Sequence, residues 1–249
     1  RAISIGFSSG YGWQRSGTEW GVVVWASRGV LSVTVKSAIW TVSSRQALWI
    51  PPHVANSVRM AGRGALRQVY LAAPFCPRLG ASACVIHVTP LLRELLRRVS
   101  AVGTLDRRIR TERRLMDVLL DELVVALDDG RSELPMRPVE LPMPRDPRAR
   151  LAADSVWLAP DAAHTTAQLA RSANASVRTL ERLFRSETGL SFGAWRQRAR
   201  LVHAMRLLAD GASVTQAGIA IGYSGTSAFV AAFRRAIGIT PGRYAPPAS

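Results

Sequence analysis

"GTSAFVAAFRRAIGIT" (Gly225–Thr240) repeats the pattern of "SVRTLERLFRSETGLS" (Ser176–Ser191) at a constant offset of 49 residues. In each copy two apolar residues stand four positions apart, an arginine follows the second of them, and a glycine comes four residues later. Residues four apart share one face of an α-helix, and glycine readily ends a helix in the left-handed conformation. The repeat therefore predicts two similar helices. The aligned pairs are Leu180 with Phe229, Phe184 with Phe233, Arg185 with Arg234, Gly189 with Gly238 and Ser191 with Thr240.

Capping signals predict a shorter helix before each of these helices. The stretches Thr165–Gln168 and Ser213–Gln216 both carry a hydroxyl residue followed three positions later by glutamine, which is the pattern of a capping box. Asn174 and Gly222 tolerate the tight turn that two paired helices need. Each copy is thus predicted to be a helix-turn-helix unit. The amphipathic segment Phe192–Gly211 is predicted to be the long helix between the two units.

The charge of the chain favours a polyanionic partner. Its 249 residues contain 33 Lys and Arg against 17 Asp and Glu, which gives a formal net charge of +16. Such an excess favours nucleic acid through counterion release, with an anionic membrane surface as the alternative. A helix-turn-helix unit places the start of its second helix in the major groove, and two units about 34 Å apart can contact adjacent grooves. Double-stranded DNA is therefore the predicted partner.

These residues resemble the DNA-binding domain of the AraC/XylS family of bacterial transcription regulators. "IGYSGTSAFVAAFRRAIGITPGRY" (Ile221–Tyr244) is similar to the C-terminal signature of that family over nearly every position. "ALWIPP" (Ala47–Pro52) and "PLLRELLRR" (Pro90–Arg98) resemble a branch whose N-terminal sensor domain is a cupin-type barrel. The resemblance implies a cytoplasmic, nucleoid-associated regulator that responds to a small organic effector and acts on RNA polymerase. Most members of the family are activators, so activation is the expected outcome.

The resemblance also implies DNA contacts. In the first helix-turn-helix unit, Arg178 and Arg182 can donate to guanine, and Glu181 can accept from the cytosine amino group. The alternative is that this face is solvated, with Glu181 paired to Arg185. In the second unit the matching residues are small, so the helix can approach closely but lacks guanine-specific donors. The expected base contacts are Arg178, Glu181, Arg182, Thr226, Ser227, Val230 and Ala231. The expected phosphate contacts are Ser176, Arg185, Arg196, Arg234, Arg235 and Arg243.

Short apolar stretches broken by turn residues run from Trp20 to Val88. About seven or eight short strands in such a length predict a small antiparallel barrel. Val22–Val35 is predicted to hold two strands around a turn at residues 27–29. Thr89 and Pro90 then mark the start of a helix.

A proline-rich segment is predicted to divide the chain. Residues 131–149 have a composition that disfavours both helix and sheet, which predicts an extended linker. The expected bounds are 1–130 for a sensor and dimerisation domain and 150–249 for a DNA-binding domain. The predicted fold class is α+β with two domains: an antiparallel, cupin-like β-barrel followed by helices, and an all-α domain of two helix-turn-helix units joined by a long helix.

The helical run Arg113–Leu127 has two interpretations. Leu115, Leu119 and Leu123 share one face, with acidic residues opposite. They either pack on the barrel or also form the seam of a homodimer. The sequence leaves both open.

The barrel itself has several candidate roles. A metal-binding cupin needs a His-x-His pair with a further carboxylate and histidine, but "GWQRSGTEWG" (Gly12–Gly21) contains no histidine, and Glu19, His53 and His87 are scattered. We therefore predict no metal, no cofactor and no enzyme; the alternative is a cupin-type metal-dependent oxidase or dioxygenase. Tryptophans around an apolar pocket would suit a small organic effector. The expected effector-binding residues are Trp13, Trp20, Trp25 and His53.

Two further alternatives concern reactivity and specificity. Methyl capture by a thiol would need a zinc-activated cysteine cluster, whereas this chain has Cys76 and Cys84 alone. An effector-independent protein that binds DNA without sequence preference would show only salt-dependent affinity. No run of about 18 uncharged apolar residues is present, so the chain is not expected to cross a membrane, and DNA rather than a membrane is the predicted partner.

Overall fold

The computed structural model describes residues 2–7, 12–132, 139–160 and 164–245, and its contacts divide the chain into two compact units. The first unit comprises Arg1–Lys36 and Trp40–Pro138, and the second comprises Ser37–Ile39 and Val139–Ser249. The strands are β1 (Ala2–Phe7), β2 (Gly12–Arg15), β3 (Gly21–Val35), β4 (Ala38–Ser43), β5 (Gln46–Ile50), β6 (Asn56–Leu71), β7 (Cys84–His87) and β8 (Val139–Pro142). A 3₁₀ helix spans Ala73–Leu79. The α-helices are α1 (Pro90–Val102), α2 (Arg110–Ser132), α3 (Pro147–Leu158), α4 (Thr166–Ser172), α5 (Val177–Thr188), α6 (Phe192–Ala209), α7 (Val214–Ala220), α8 (Thr226–Ile237) and α9 (Pro241–Tyr244).

Two long strands, β3 and β6, form the centre of the antiparallel sheet in the first unit. β6 pairs with β1 and β2 along one edge and with β3 along the other, and β5 pairs with β3 and β7. The prediction of two strands within Val22–Val35 is wrong, because register shifts between Ala26 and Val30 are bulges within one continuous strand. Gly29, with a φ of 85°, supplies the left-handed residue at this bend.

The sheet is open, so the predicted closure into a barrel is wrong. In the described part of the chain, β1 and β2 stay at one edge and β7 ends the other side beyond β5. The apolar residues alternate between two faces, as the period of two requires. Val22 and Val24 from the first half of β3 share a core with Leu31 and Val33 from the second half. The bulge bends β3, so both halves of the strand contribute residues to this one core.

Helices α1 and α2 cover the other face of the sheet. Thr89 caps α1 as predicted, its hydroxyl accepting a hydrogen bond from the Leu92 amide at 3.1 Å. Leu119 and Leu123 are 1% and 0% exposed in the cluster that joins α2 to the sheet, and Leu115 packs against the same cluster. These leucines therefore pack on their own sheet. A homodimer seam on α2 would need a different face from the one that the sequence suggested.

After residue 138, the described part of the second unit is helical apart from a short strand inside the expected linker. Residues 133–138 of that linker lie outside the described residues, but β8 and the start of α3 both fall within 131–149. Val139 and Leu141 alternate into buried positions, and Asp146 caps α3 with Pro147 in its first turn. Proline is tolerated at strand ends and in the first turn of a helix, so a proline-rich composition did not exclude these elements.

Helix α6 anchors β8 within the second unit. The indole nitrogen of Trp195 donates to the Pro142 carbonyl oxygen at 2.6 Å, and Arg198 Nη1 donates to the Glu140 carbonyl oxygen at 2.9 Å. Trp195 is fully buried and meets Phe184 edge-on at 5.3 Å between ring centroids. The long helix therefore holds together the strand that precedes α3 and the first helix-turn-helix unit. Among the helices described, none combines the length and hydropathy needed to cross a lipid bilayer.

Candidate nucleic-acid interface

The first helix-turn-helix unit consists of α4 and α5, as predicted. The capping box at Thr165 and Gln168 is complete, and Asn174 has a φ of 51° in the turn between the helices. The Ser176 hydroxyl accepts from the Thr179 amide at 3.0 Å and so caps α5. The start of α5 is thereby fixed by the sequence itself.

The outward face of α5 is cationic. Arg178, Arg182 and Arg185 are exposed at positions i, i+4 and i+7, so they lie along one side of the helix. The opposite, buried side consists of Leu180, Leu183 and Phe184. In the described part of the chain, no salt bridge joins Glu181 to Arg185. The three guanidinium groups are thus placed where a nucleic acid could approach them.

Both carboxylates of α5 accept hydrogen bonds from backbone amides of the same unit. Glu181 Oε2 accepts from the Phe192 amide at 3.2 Å, which ties α5 to the first residue of α6. Glu187 Oε2 accepts from the Arg145 and Asp146 amides at 2.6 and 3.0 Å. A contact between Glu181 and a cytosine stays a prediction, and Oε1 is the oxygen that Phe192 does not use. The role of Glu187 could not be predicted from local sequence, since its partners lie about forty residues earlier in the chain.

The second helix-turn-helix unit, α7 and α8, has the same arrangement of helices as the first but different residues on its surface. Its capping box at Ser213 and Gln216 is complete, and Gly222 has a φ of 87° in the turn. The N-cap of α8 is Gly225, which makes no side-chain cap. The exposed residues along the outward side of α8 are Thr226, Ser227, Ala228, Ala231, Arg234 and Arg235, and Val230 is half-buried. Short side chains at the start of α8 therefore give way to arginines near its end.

Gly218 shows how tightly α7 packs against α8. A Cβ at this position would lie 3.1 Å from Cδ1 of Phe229 and 3.2 Å from its Cγ. The Phe229 ring is held between Tyr223 and Phe233, at 5.7 and 5.6 Å between centroids. Glycine at this position therefore fits the close packing between α7 and α8.

Replacing Gly218 with alanine is expected to destabilise the protein by about 1 kcal/mol. The gain in helix propensity of roughly 0.5–1 kcal/mol is outweighed by overpacking, which typically costs about 1–3 kcal/mol. Thermal or denaturant unfolding measures the change. Gly193 in α6 is the matched control, because a Cβ there meets nothing within 4 Å and alanine should stabilise the helix. An equal gain in stability at both positions would show that the contact between α7 and α8 has room for a Cβ at position 218.

Helix α6 adds a pair of neighbouring cations to this surface. Arg196 is half-buried, and burial together with the nearby charge of Arg200 lowers its pKa. Two like charges at close range favour an anion beside them, which a phosphate oxygen can provide. Arg206 has a structural role instead, since its guanidinium lies 4.3 Å from the centroid of the Trp157 ring.

Helix α9 packs against the buried face of α8. The Tyr244 ring packs edge-on against Phe233 at 5.6 Å between centroids. The Tyr244 hydroxyl is buried even though part of the residue reaches the surface, and burial raises its pKa. Arg243, the residue before it, is exposed. The packing thus fixes α8 while leaving Arg243 at the surface with Arg234.

The candidate effector residues of the first unit lie in different surroundings. Trp25 is 1% exposed in the core beneath the helices, and its indole nitrogen donates to the Ser44 carbonyl oxygen at 2.9 Å. Trp20 is partly exposed, and His53 is an exposed turn residue with a φ of 61°. The side chain of Trp13 lies outside the described residues. Effector binding by these four residues stays a prediction, and Trp25 has a clear structural role.

The described histidine, cysteine and acidic side chains of the first unit bear on whether it could hold a metal or react chemically. Among the residues that the structure describes, no group of three or more His, Cys, Asp or Glu could hold a metal ion. In the described part of the chain Cys76 and Cys84 form no disulfide bond, and burial raises the pKa of Cys76. A raised pKa disfavours the thiolate, which is the nucleophilic form.

Two helix-turn-helix units with cationic outer surfaces define a DNA-binding protein. Residues 169–246 match the family described as "Helix-turn-helix domain". The chain is 32% identical to the HTH-type transcriptional regulator NimR of Escherichia coli (strain K12) over 224 residues, which are 90% of this chain and 79% of NimR. It is also 34% identical to the regulator RipA of Corynebacterium diphtheriae over 126 residues, or 51% of this chain and 36% of RipA. The chain therefore belongs to the AraC family of helix-turn-helix transcription regulators.

One solved structure that matches this chain is that of ToxT from Vibrio cholerae, described with a bound unsaturated fatty acid. It matches with 12% identity and a TM-score of 0.40, covering 98% of this chain and 94% of ToxT. The strands and helices of the chain itself confirm the predicted class of fold, an N-terminal antiparallel sheet domain followed by a helical DNA-binding domain, except that the sheet is open.

Proposed function

We propose that this regulator binds an operator of two adjacent half-sites, with α5 in one major groove and α8 in the next. The proposal rests on the difference between the outward faces of α5 and α8, which occupy matching positions in the two helix-turn-helix units. α5 presents Arg178 and Arg182, whereas α8 presents small side chains at the matching positions Ser227 and Ala231. Base contacts specify sequence and phosphate contacts position the protein. The α5 half-site therefore supplies most of the sequence preference.

Each expected contact residue has its own role in this mode of binding. Arg178 and Arg182 donate to guanine, and Glu181 accepts from cytosine through Oε1. Thr226, Ser227, Val230 and Ala231 allow close approach to the groove floor and contact thymine methyl groups. The phosphate contacts are Ser176, Arg185, Arg196, Arg234, Arg235 and Arg243.

We further propose that the first unit senses a small organic effector and that the protein activates transcription through RNA polymerase. The kinship with named transcriptional regulators supports this role and favours a protein without catalytic activity. A DNA-bound regulator works where the chromosome is, so we place it in the cytoplasm. Effector binding would bias the DNA-bound arrangement by preferring one of two states.

Selection of binding sites from random DNA by the purified protein tests this proposal. We expect one strongly specified segment rich in G·C pairs and, about 10 base pairs away, a weakly specified one. Two equally specified segments would contradict the unequal division between α5 and α8. Recovery of fragments with no shared sequence would contradict specific recognition altogether.

A further inference from the structure

Five arginines lie close together at the start of α2, in the first unit of the chain. Residues 107–114 read RRIRTERR, so arginine occupies five of eight positions. Residues 1–144 hold 19 Lys and Arg against 11 Asp and Glu, so half of the net charge of +16 lies outside the helix-turn-helix domain. The members of this α2 arginine cluster, all exposed, are Arg107, Arg108, Arg110, Arg113 and Arg114. The DNA contacts proposed for α5 and α8 give the cluster no role.

The acidic residues beside the cluster accept hydrogen bonds from backbone amides. Glu112 Oε2 accepts from the Asp106 amide at 2.6 Å, and Asp106 Oδ1 accepts from the Arg108 amide at 2.9 Å. The guanidinium carbon of Arg107 lies 5.2 Å from the centroid of the Phe75 ring. In the described part of the chain, no salt bridge engages any of the five arginines. The cluster therefore presents concentrated positive charge to solvent.

This placement of the arginines is electrostatically unfavourable within the chain itself. Arg110 and Arg114 stand four positions apart on α2, a spacing at which like charges repel. Arg110 and Arg113 also lie in the first turn, near the positive end of the helix dipole, where cations are disfavoured. A partner with closely spaced negative charges would offset both effects.

Duplex DNA is the polyanion that fits this surface best. Arginine binds phosphate oxygens with two parallel hydrogen bonds, and a duplex carries one negative charge per about 1.7 Å of its axis. A helix that binds a membrane surface inserts its apolar face into the lipid. The apolar face of α2 is not available for this, since Leu119 and Leu123 are buried in the core beneath the helix.

We infer that the α2 arginine cluster binds the phosphate backbone of DNA beyond the two half-sites that α5 and α8 contact. The first unit then supplies a DNA contact of its own, in addition to any effector site. Phosphate contacts carry no sequence information, so the cluster raises affinity for any duplex long enough to reach it. This inference rests on the proposed binding of DNA by the helical unit, which brings the first unit near the duplex.

The length of the DNA tests the inference, with the full chain and two variants of equal charge. The cluster variant carries Arg108→Gln, Arg110→Gln, Arg113→Gln and Arg114→Gln. The control variant replaces four exposed arginines elsewhere in the first unit and carries Arg28→Gln, Arg45→Gln, Arg59→Gln and Arg98→Gln. Glutamine forms helices about as well as arginine, so α2 should stay folded. Affinity is measured for a duplex that ends at the half-sites and for duplexes extended on either side by about 15 base pairs, or one and a half helical turns.

We expect the parent and the control variant to bind one of the extended duplexes at least tenfold more tightly than the short one. The salt slope should be steeper by about two to four on that duplex, because each phosphate contact contributes about 0.9. The cluster variant should lose this gain and match the control variant on the short duplex. A gain that the cluster variant keeps, or that the parent lacks, would overturn the inference. So would an equal loss of the gain in the control variant, since only overall charge would then matter.

Duplexes of random sequence separate this inference from the proposed function. The gain with length should be the same on them, because it does not depend on the operator. If sequence-specific recognition failed, the gain would therefore still be measurable. If the cluster had no role, preference for the operator would persist without any gain. Vesicles rich in phosphatidylglycerol complete the test: binding by the parent that the cluster variant loses, with no gain from longer DNA, would assign the cluster to a membrane surface and overturn the inference.

Discussion

Arg182→Ala is expected to reduce discrimination between the preferred operator and a site altered in the α5 half by about 5- to 150-fold. This corresponds to the ~1–3 kcal/mol that a bidentate pair contributes between arginine and guanine. Arg182 is exposed on the outward face of α5, and in the described part of the chain no salt bridge engages it. Its removal should therefore leave the fold intact. Equilibrium binding to the two DNA duplexes, at one fixed salt concentration, gives the ratio.

Arg234→Ala is the matched control for this prediction. Arg234 occupies the position in α8 that Arg185 occupies in α5, near the end of the helix where the phosphate backbone is expected. Its loss should weaken binding to both duplexes by the same factor and reduce the salt slope by about one. If Arg182→Ala and Arg234→Ala changed discrimination equally, the division between base and phosphate contacts would be wrong.

Trp195→Ala is expected to destabilise the second unit by about 3–5 kcal/mol, the usual cost of truncating a buried aromatic residue. The change removes the ring that meets Phe184 and also leaves the Pro142 carbonyl without its donor. Since domains are typically stable by only about 5–15 kcal/mol, DNA binding should fall with the folded population. Hydrogen exchange resolved by peptide should speed up in α5 and α6 while β3 and β6 stay protected.

Two further substitutions serve as comparisons for Trp195→Ala. Trp195→Phe keeps an aromatic ring but loses the N–H group, so it should cost about 1–3 kcal/mol through the unsatisfied carbonyl. Trp20→Ala removes a partly exposed tryptophan of the first unit and should leave exchange in α5 and α6 unchanged. A loss of protection in α5 that is as large for Trp20→Ala as for Trp195→Ala would contradict the anchoring role of Trp195.

The helical unit was largely predictable because its signals are local. Capping boxes, the Asn174 and Gly222 turns and the glycine caps at Gly189 and Gly238 each depend on residues a few positions apart, and the structure confirms them. The same signals occur in both copies of the repeat, at one constant offset, so each copy supports the prediction made for the other. Local consistency of this kind is what makes a sequence specify its elements.

Features that depend on distant partners could not be predicted in the same way. The segment Val22–Val35 contains a turn signal, yet long pairing with β6 keeps it one strand and turns the signal into a bulge. β8 lies in proline-rich sequence, and its contact with Trp195, whose indole donates to the Pro142 carbonyl oxygen, joins residues some fifty positions apart. The leucines of α2 fit a dimer seam or a core equally well by spacing. Only the position of the sheet against α2 shows that Leu119 and Leu123 face inward.

The central claim is that both helix-turn-helix units contact one DNA duplex in successive grooves. Hydroxyl-radical footprinting of the protein on its selected operator tests this most directly. We predict two protected stretches on one face of the duplex, about 10 base pairs apart, with guanine methylation interfering most strongly in the stretch that α5 contacts. A single protected stretch that Arg234→Ala leaves unchanged would contradict the account.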